Sequence, residues 1–238
     1  MIAVDVKNLV KNYGSIEAVK GISFSVNEGE IFGLIGPNGA GKTTVLRIVS
    51  TLLKITSGSI KIMNLDLEKD ADKIRKIISY LPEDAGAYKN LTGRAYLQFI
   101  ANFFDMSQNQ QMVQKGVEIA ELEERIDDRV DTYSKGMMRR LLVGRALMIN
   151  PKLAILDEPT SGLDVINAQE IRKLIKNTAK KGTTMLLSSH NMLEVEYLCE
   201  RIALISDGRI VEEGEPKALM HKYEANNIEE VFTRAVQQ

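Results

Sequence analysis

The feature that most constrains this fold is a glycine-rich stretch between an apolar run and a helix-like segment. Its eight residues fit the pattern G-x-x-x-x-G-K-[ST] and are Gly36-Pro37-Asn38-Gly39-Ala40-Gly41-Lys42-Thr43. The apolar run at 30–35 is typical of a strand buried on both faces, and residues 42–53 have a helical pattern. Strand, loop and helix in this order form the setting of a P-loop. The sequence therefore predicts an α/β fold with a P-loop core.

The residue types in this loop suit a bound phosphate. Glycines let backbone N–H groups face phosphate oxygens, and the following helix adds its positive end. The Lys42 ammonium is expected to neutralise the β- and γ-phosphates of a nucleotide, and the Thr43 hydroxyl to bind Mg²⁺. ATP and Mg²⁺ are therefore the predicted cofactors. The residues expected around the nucleotide are Gly36, Pro37, Asn38, Gly39, Ala40, Gly41, Lys42, Thr43 and Thr44.

Two adjacent carboxylates, Asp157 and Glu158, follow the apolar run at 153–156. Acidic turn residues are common at strand ends, so in isolation this pair would be interpreted as an ordinary turn. The P-loop upstream makes a catalytic and Mg²⁺ site the better interpretation. Asp157 is then predicted to hold Mg²⁺, and Glu158 to orient and deprotonate the attacking water. His190 also follows a strand-like run, but a lone histidine is usually an ordinary surface residue.

Apolar runs organise the rest of the chain. Residues 4–10 and 21–26 alternate as antiparallel strands do, and short continuous runs recur at 77–81, 153–156, 183–188 and 202–205. A strand pair is predicted at 202–206 and 209–213. We expect one domain over 1–238, with a mixed, mainly parallel sheet and an amino-terminal antiparallel β subdomain. Its core covers about 1–82 and 151–238, and an inserted α-helical lobe covers about 83–150.

Charge and hydropathy limit the possible partners. Lys and Arg number 31 against 32 Asp and Glu. The chain therefore lacks the basic excess that is typical of nucleic-acid binding, and we expect no nucleic-acid partner. The amino terminus does not have the pattern of a signal peptide, and no apolar run approaches the ~20 residues that cross a bilayer. We expect a cytoplasmic protein that sits on the inner face of the cell membrane only through a partner.

A third motif lies between the P-loop and the acidic pair and consists of Tyr133-Ser134-Lys135-Gly136-Met137. With the P-loop, the acidic pair and His190, it resembles the ATP-binding subunit of an exporter-like ABC transporter, from about residue 4 onward. The family signature is Leu-Ser-Gly-Gly-Gln, which this chain matches at Ser134 and Gly136 only. The resemblance implies that two subunits sandwich two MgATP, with Ser134 and Gly136 facing the γ-phosphate bound by the other subunit. A serine here also suits a helix cap.

The resemblance implies roles for three further residues. His190 matches a switch histidine that contacts the γ-phosphate, and Tyr13 matches an aromatic that stacks on adenine. A tyrosine between strands is also commonly just packing. Glu83 stands where the family usually has glutamine, and its carboxylate is expected to bind Mg²⁺ or a water. Residues 84–91, with Tyr88, are predicted to line a groove for a helix of the membrane partner, although a plain surface loop is the alternative.

The function that the resemblance implies is an ATPase that powers transport, most consistent with export, through separate transmembrane permease subunits. A second ATP-binding subunit, in a homodimer, is the other expected partner. The alternative is a soluble ABC-type ATPase acting on the ribosome or DNA, although such proteins usually carry two cassettes or a long coiled-coil insertion. A P-loop kinase would leave the third motif and the acidic pair unexplained. An adjacent gene with about six apolar spans of ~20 residues would favour the transporter.

Overall fold

The fold is described from a computed structural model covering residues 1–104 and 106–237. The strands are β1 (Ile2–Tyr13), β2 (Ile16–Asn27), β3 (Ile31–Ile35), β4 (Ser57–Ile62), β5 (Leu65–Asp66), β6 (Ile78–Leu81), β7 (Leu153–Asp157), β8 (Thr184–Ser189), β9 (Arg201–Ser206) and β10 (Arg209–Gly214). The α-helices are α1 (Lys42–Val49), α2 (Ala71–Arg75), α3 (Gly93–Ala101), α4 (Asn109–Ala120), α5 (Lys135–Leu147), α6 (Val165–Ala179), α7 (Met192–Leu198), α8 (Pro216–Lys222) and α9 (Ile228–Val236).

The central sheet contains six strands in the order β10-β9-β3-β8-β7-β6. Neighbouring strands from β9 to β6 run parallel, and β10 joins β9 in antiparallel orientation. Every residue of β3, β7 and β8 is buried, because helices cover both faces of such a sheet. The predicted mixed, mainly parallel sheet and the terminal strand pair are therefore confirmed.

The parallel strands bring distant motifs to one edge of this sheet. β3 leads into the P-loop, β7 ends at Asp157, and β8 ends at Ser189. The register pairs Asp157 with Ser188 and Ile35 with Ser189. Because the carboxyl ends of parallel strands meet at the same edge, the P-loop and the acidic pair face one another there.

The amino-terminal sheet has the order β2-β1-β4-β5, with antiparallel pairing throughout. Its first two strands are longer than the predicted segments 4–10 and 21–26. An irregularity between Val6 and Leu9, where Asn8 adopts a φ of 48°, keeps both apolar side chains buried. Strand β4 was not predicted, because only Ile60 and Ile62 are buried in it. Pairing with β1, rather than its own pattern, makes this segment a strand.

The helix predicted at 42–53 was too long, since α1 ends at Val49. The Ser50 hydroxyl donates a hydrogen bond to the Leu46 carbonyl, and Thr51 has a φ of 62°. A residue in this left-handed region cannot continue an α-helix, so the chain turns away.

Between β6 and β7 the described residues form α3, α4 and α5, three short 3-10 helices and an isolated bridge between Thr92 and Arg129. The backbones of α4 and α5 pack so closely that a Cβ on Gly144 would lie only 2.6 Å from the Gly116 carbonyl oxygen. This agrees with the helical spacing at 83–150, and we retain the division into core and lobe as a proposal. In the segments described, no helix has the length and apolarity to span a membrane.

Candidate functional site

A cavity of ≈ 170 Å³ lies where the P-loop meets the start of α1. Close contacts require glycine at two positions of the P-loop, Gly36 and Gly41, of which only Gly41 lines the cavity. A Cβ on Gly36 would lie 2.1 Å from the Ile205 carbonyl oxygen, and one on Gly41 would lie 2.7 Å from that of Ala18. Ala40 is buried and does not line the cavity, and its carbonyl accepts a hydrogen bond from the Gly208 N–H at 3.1 Å. The residues that line the cavity are Ala18, Asn38, Gly39, Gly41, Lys42, Thr43, Thr44, Glu83 and Glu158.

The Lys42 ammonium is buried inside the loop. It donates hydrogen bonds to the Gly36 carbonyl (2.8 Å) and the Pro37 carbonyl (3.1 Å). Its Nζ atom also lies 3.4 Å from Oε1 of Glu158, and only 5% of the lysine side chain is exposed. A buried charge needs such partners, so the P-loop and the acidic pair form one electrostatic unit.

Three hydroxyl groups hold the Asp157 carboxylate, which is buried at the end of β7. Oδ1 accepts hydrogen bonds from Thr43 Oγ1 (3.2 Å) and Ser188 Oγ (2.5 Å). Oδ2 accepts one from the Tyr80 hydroxyl (3.3 Å). Burial, together with the charge of Asp157, raises the pKa of Tyr80 to about 12, so the phenol remains a donor at neutral pH. The Asp157 carboxylate and the Thr43 hydroxyl are hard oxygen groups of the kind that Mg²⁺ prefers.

Glu158 lies between the P-loop lysine and His190. Its Oε2 is 2.8 Å from His190 Nδ1 and accepts the His190 backbone N–H at 3.3 Å. In the described part of the chain, Oε1 makes no hydrogen bond, although Lys42 forms an ion pair with it. The backbone is unusual, with a φ of 47° in a non-glycine residue, and its N–H donates to Ser188 Oγ at 3.0 Å. The surroundings therefore fix the direction of this carboxylate.

Glu83 follows β6 and lines two cavities. Besides the P-loop cavity, it borders a second one of ≈ 370 Å³, where the Ser161 hydroxyl donates to its Oε1 at 2.9 Å. The other residues lining this second cavity are Ala85, Tyr133, Ser134, Lys135, Met138, Arg139, Leu142, Ser161, Gly162 and Leu163.

The third motif lies at the second cavity rather than in the P-loop cavity. Ser134 caps α5 by accepting the Met137 N–H at 3.2 Å, so the helix-cap expectation is confirmed. Gly136 packs against α6, where an added Cβ would lie 1.9 Å from Asn167 Oδ1. Within one subunit, neither Ser134 nor Gly136 lines the cavity that contains Lys42.

Tyr13 also lies outside the P-loop cavity lining. It ends β1 with 45% of its surface exposed, and the Lys11 ammonium lies 5.0 Å from its ring centroid. Ala18, on the next strand, lines the cavity instead. Adenine stacking by Tyr13 stays a prediction.

Four residues of the site were not predicted from the sequence, namely Tyr80, Ser188, Arg139 and Ser161. A signal existed for Ser188, because a polar residue at the carboxyl end of a buried parallel strand faces the same edge as the acidic pair. No local pattern distinguishes Arg139, whose contacts all lie outside its own helix.

The family model described as ABC transporter matches residues 19–161. The chain belongs to the ABC transporter family. Linearmycin resistance ATP-binding protein LnrL of Bacillus subtilis (strain 168) is 38% identical over 208 residues, covering 86% of this chain and 67% of that protein. Nod factor export ATP-binding protein I of Rhizobium meliloti is 35% identical over 233 residues, covering 97% of this chain and 70% of that protein.

Solved structures have the same fold. The ATP-binding subunit of an ABC transporter superposes with a TM-score of 0.86 at 26% identity, covering 98% of this chain and 99% of that one. A dimeric ATP-binding cassette in a post-hydrolysis state, with ADP and Pi bound, gives a TM-score of 0.78 at 28% identity, covering 89% and 98%. These findings confirm the predicted fold and the function of an ATP-binding, ATP-hydrolysing subunit for transport.

Proposed function

We propose that this ABC cassette hydrolyses MgATP with Glu158 as the general base and thereby powers export through separate transmembrane subunits. One observation carries the catalytic assignment. Glu158 lines the P-loop cavity and is held by His190 through Oε2, while its buried Oε1 has Lys42 as an ion-pair partner but no hydrogen bond within the described part of the chain. A buried acceptor in this position can take a proton from an attacking water. Export is supported by the relatives named for Nod factor export and linearmycin resistance.

The P-loop residues bind the ATP phosphates in this proposal, with Lys42 as the neutralising cation. Thr43 and Asp157 would hold Mg²⁺, and Glu83 lies at the edge of the same cavity. The described residues contain no cluster of three or more His, Cys, Asp or Glu side chains for a metal. This sparse set fits Mg²⁺, which commonly keeps waters and takes one or two carboxylates plus phosphate oxygens. When bound, Mg²⁺ neutralises charge on the β- and γ-phosphates.

The second half of each ATP site comes from another subunit in this proposal. Ser134 and the exposed Lys135 present a hydroxyl and a positive charge at the amino end of α5, away from their own P-loop cavity. A two-fold dimer would place this surface of each subunit against the P-loop of the other. In such a dimer, the amino end of α5 in each subunit would contact the nucleotide bound at the P-loop of the other. The dimeric structural neighbour supports this arrangement.

Residues 84–91 are proposed to receive a helix of the membrane partner. Tyr88 is 54% exposed and packs edge-on against Tyr96 and Phe99, with ring centroids 6.2 and 5.2 Å apart. Phe99 continues the row to the exposed Phe103 at 5.3 Å. Exposed aromatic rows of this kind suit protein interfaces. The cytoplasmic location on the inner membrane face would follow from this contact.

Changing Glu158 to Gln tests the proposal. Hydrolysis should fall roughly 10²–10⁴-fold, as expected for loss of a general base, while nucleotide affinity persists. Lys42→Ala should instead weaken nucleotide binding itself. Phosphate release and titration with a fluorescent ATP analogue separate the two effects. A Glu158→Gln variant with the wild-type rate would refute the base assignment and make His190 or Glu83 the candidates.

A further inference from the structure

The guanidinium of Arg139 is buried where α5 meets the end of β7, and the residue is only 6% exposed. The five hydrogen bonds that its side chain makes to described residues all go to main-chain carbonyls. Nε donates to Pro159 (2.7 Å), Nη1 to Pro82 (3.3 Å) and Glu83 (3.2 Å), and Nη2 to Asp157 (3.0 Å) and Glu158 (2.7 Å). A guanidinium has five N–H groups in a rigid plane, which match these carbonyls in number.

These carbonyls belong to two segments that are far apart in the sequence. One is residues 82–83, directly after β6, and the other is the continuous stretch 157–159 at the end of β7. A single rigid plane therefore sets the spacing of the two. Burial lowers the pKa of Arg139, while the nearby Glu83 and Asp157 carboxylates act in the opposite direction and stabilise the charge.

The contact matters most at Glu158, whose left-handed backbone needs support from its surroundings. Ser188 binds its N–H, and Arg139 binds its carbonyl. Both sides of the residue are thus restrained, which fixes the direction in which the carboxylate leaves the backbone. Removing one restraint lets the carboxylate turn away from its position beside His190.

Arg139 also belongs to the helix that Ser134 caps. We infer that Arg139 is a positioning residue that couples the seating of α5 to the orientation of the catalytic Glu158. A shift of the signature end of α5, such as a partner subunit could impose, then reaches the acidic pair through one side chain. This inference rests on the proposed role of Glu158 as general base.

Lysine and glutamine variants of Arg139 test the inference. Neither side chain can bind five carbonyls from both segments at once, so kcat should fall on the order of 10²-fold, as expected for a misplacement of about 1 Å. The dissociation constant for the fluorescent ATP analogue should stay near the wild-type value, because Arg139 does not line the P-loop cavity. Equal losses in binding and kcat, or a wild-type kcat, would overturn the inference. So would failure of both variants to fold, since Arg139 would then be a folding determinant.

Arg140 provides the matched control on the same helix. Its guanidinium donates to the Glu121 carbonyl at 3.2 Å and pairs with Glu170 at 3.4 Å, without contacting the acidic pair. Arg140→Lys and Arg140→Gln should lower thermal stability while leaving kcat near the wild-type value. A kcat loss in the Arg140 variants equal to that of the Arg139 variants would mean that general loosening of α5 explains both.

A double-mutant cycle separates positioning from an independent effect. If Arg139 acts through Glu158, then Arg139→Lys should cause no further loss of hydrolysis in a Glu158→Gln background. Multiplied losses would overturn the coupling while leaving the proposed function intact. A wild-type rate in the Glu158→Gln single variant would instead refute the proposed function itself.

Discussion

Removing the Ser188 hydroxyl should destabilise the cassette more than the size of the change suggests. Ser188 is fully buried, and its Oγ both donates to Asp157 and accepts the Glu158 N–H. Ser188→Ala orphans that N–H, at ~1–3 kcal/mol, and removes a bond to an ionised carboxylate, at ~1.5–3 kcal/mol. Thr43 and Tyr80 still bind Asp157 and offset part of this. We expect a loss of about 2–4 kcal/mol, or on the order of 10 °C in Tm for a chain of this length.

Strand β6, on the far side of β7 from β8 in the same sheet, offers a matched control. Ser79 is 7% exposed, and its Oγ has no hydrogen-bond partner in the described part of the chain. Ser79→Ala should therefore leave the free energy of unfolding unchanged or raise it. Urea unfolding of both variants, without nucleotide, measures the difference directly. Equal losses in both variants, or no loss in Ser188→Ala, would refute the reasoning from hydrogen-bond partners.

Three further outcomes are expected. Glu158→Gln with MgATP should elute as a dimer in size-exclusion chromatography, because each nucleotide needs two subunits; a monomer at saturating ATP, also with the membrane subunits present, would contradict the sandwich. Tyr88→Cys, in a Cys199→Ser background, should cross-link to the transmembrane subunit. If only cysteines at distant surface positions cross-link to that subunit, the coupling site lies elsewhere. Burial raises the pKa of Glu194 above 4.5, so its contribution to stability falls as pH rises through that raised pKa. Glu194→Gln should therefore be more stable relative to wild type at pH 8 than at pH 4, below the ordinary value of 4.5, in urea unfolding, and an unchanged difference would contradict this.

Much of the fold could be predicted because its central strands are buried on both faces. A strand such as β3 must be apolar throughout, so its position can be identified without knowledge of its neighbours. β4 could not be found in this way, because residues 57–62 are mostly exposed and form a strand only through pairing with β1. The end of α1 depended on the left-handed backbone conformation of Thr51. A β-branched residue rarely adopts this conformation, so the residue type did not indicate where the helix ends.

The sequence by itself determined the candidate phosphate loop, the acidic pair and the family, because each motif needs particular residue types at fixed local spacing. Only the tertiary structure decided that Ser188 and Tyr80 hold Asp157, and that Arg139 holds Glu158. These contacts join segments far apart in the chain, and they depend on strand order and register. Local sequence patterns carry information about burial within one element, whereas a hydrogen bond between two elements exists only after the sheet has aligned them.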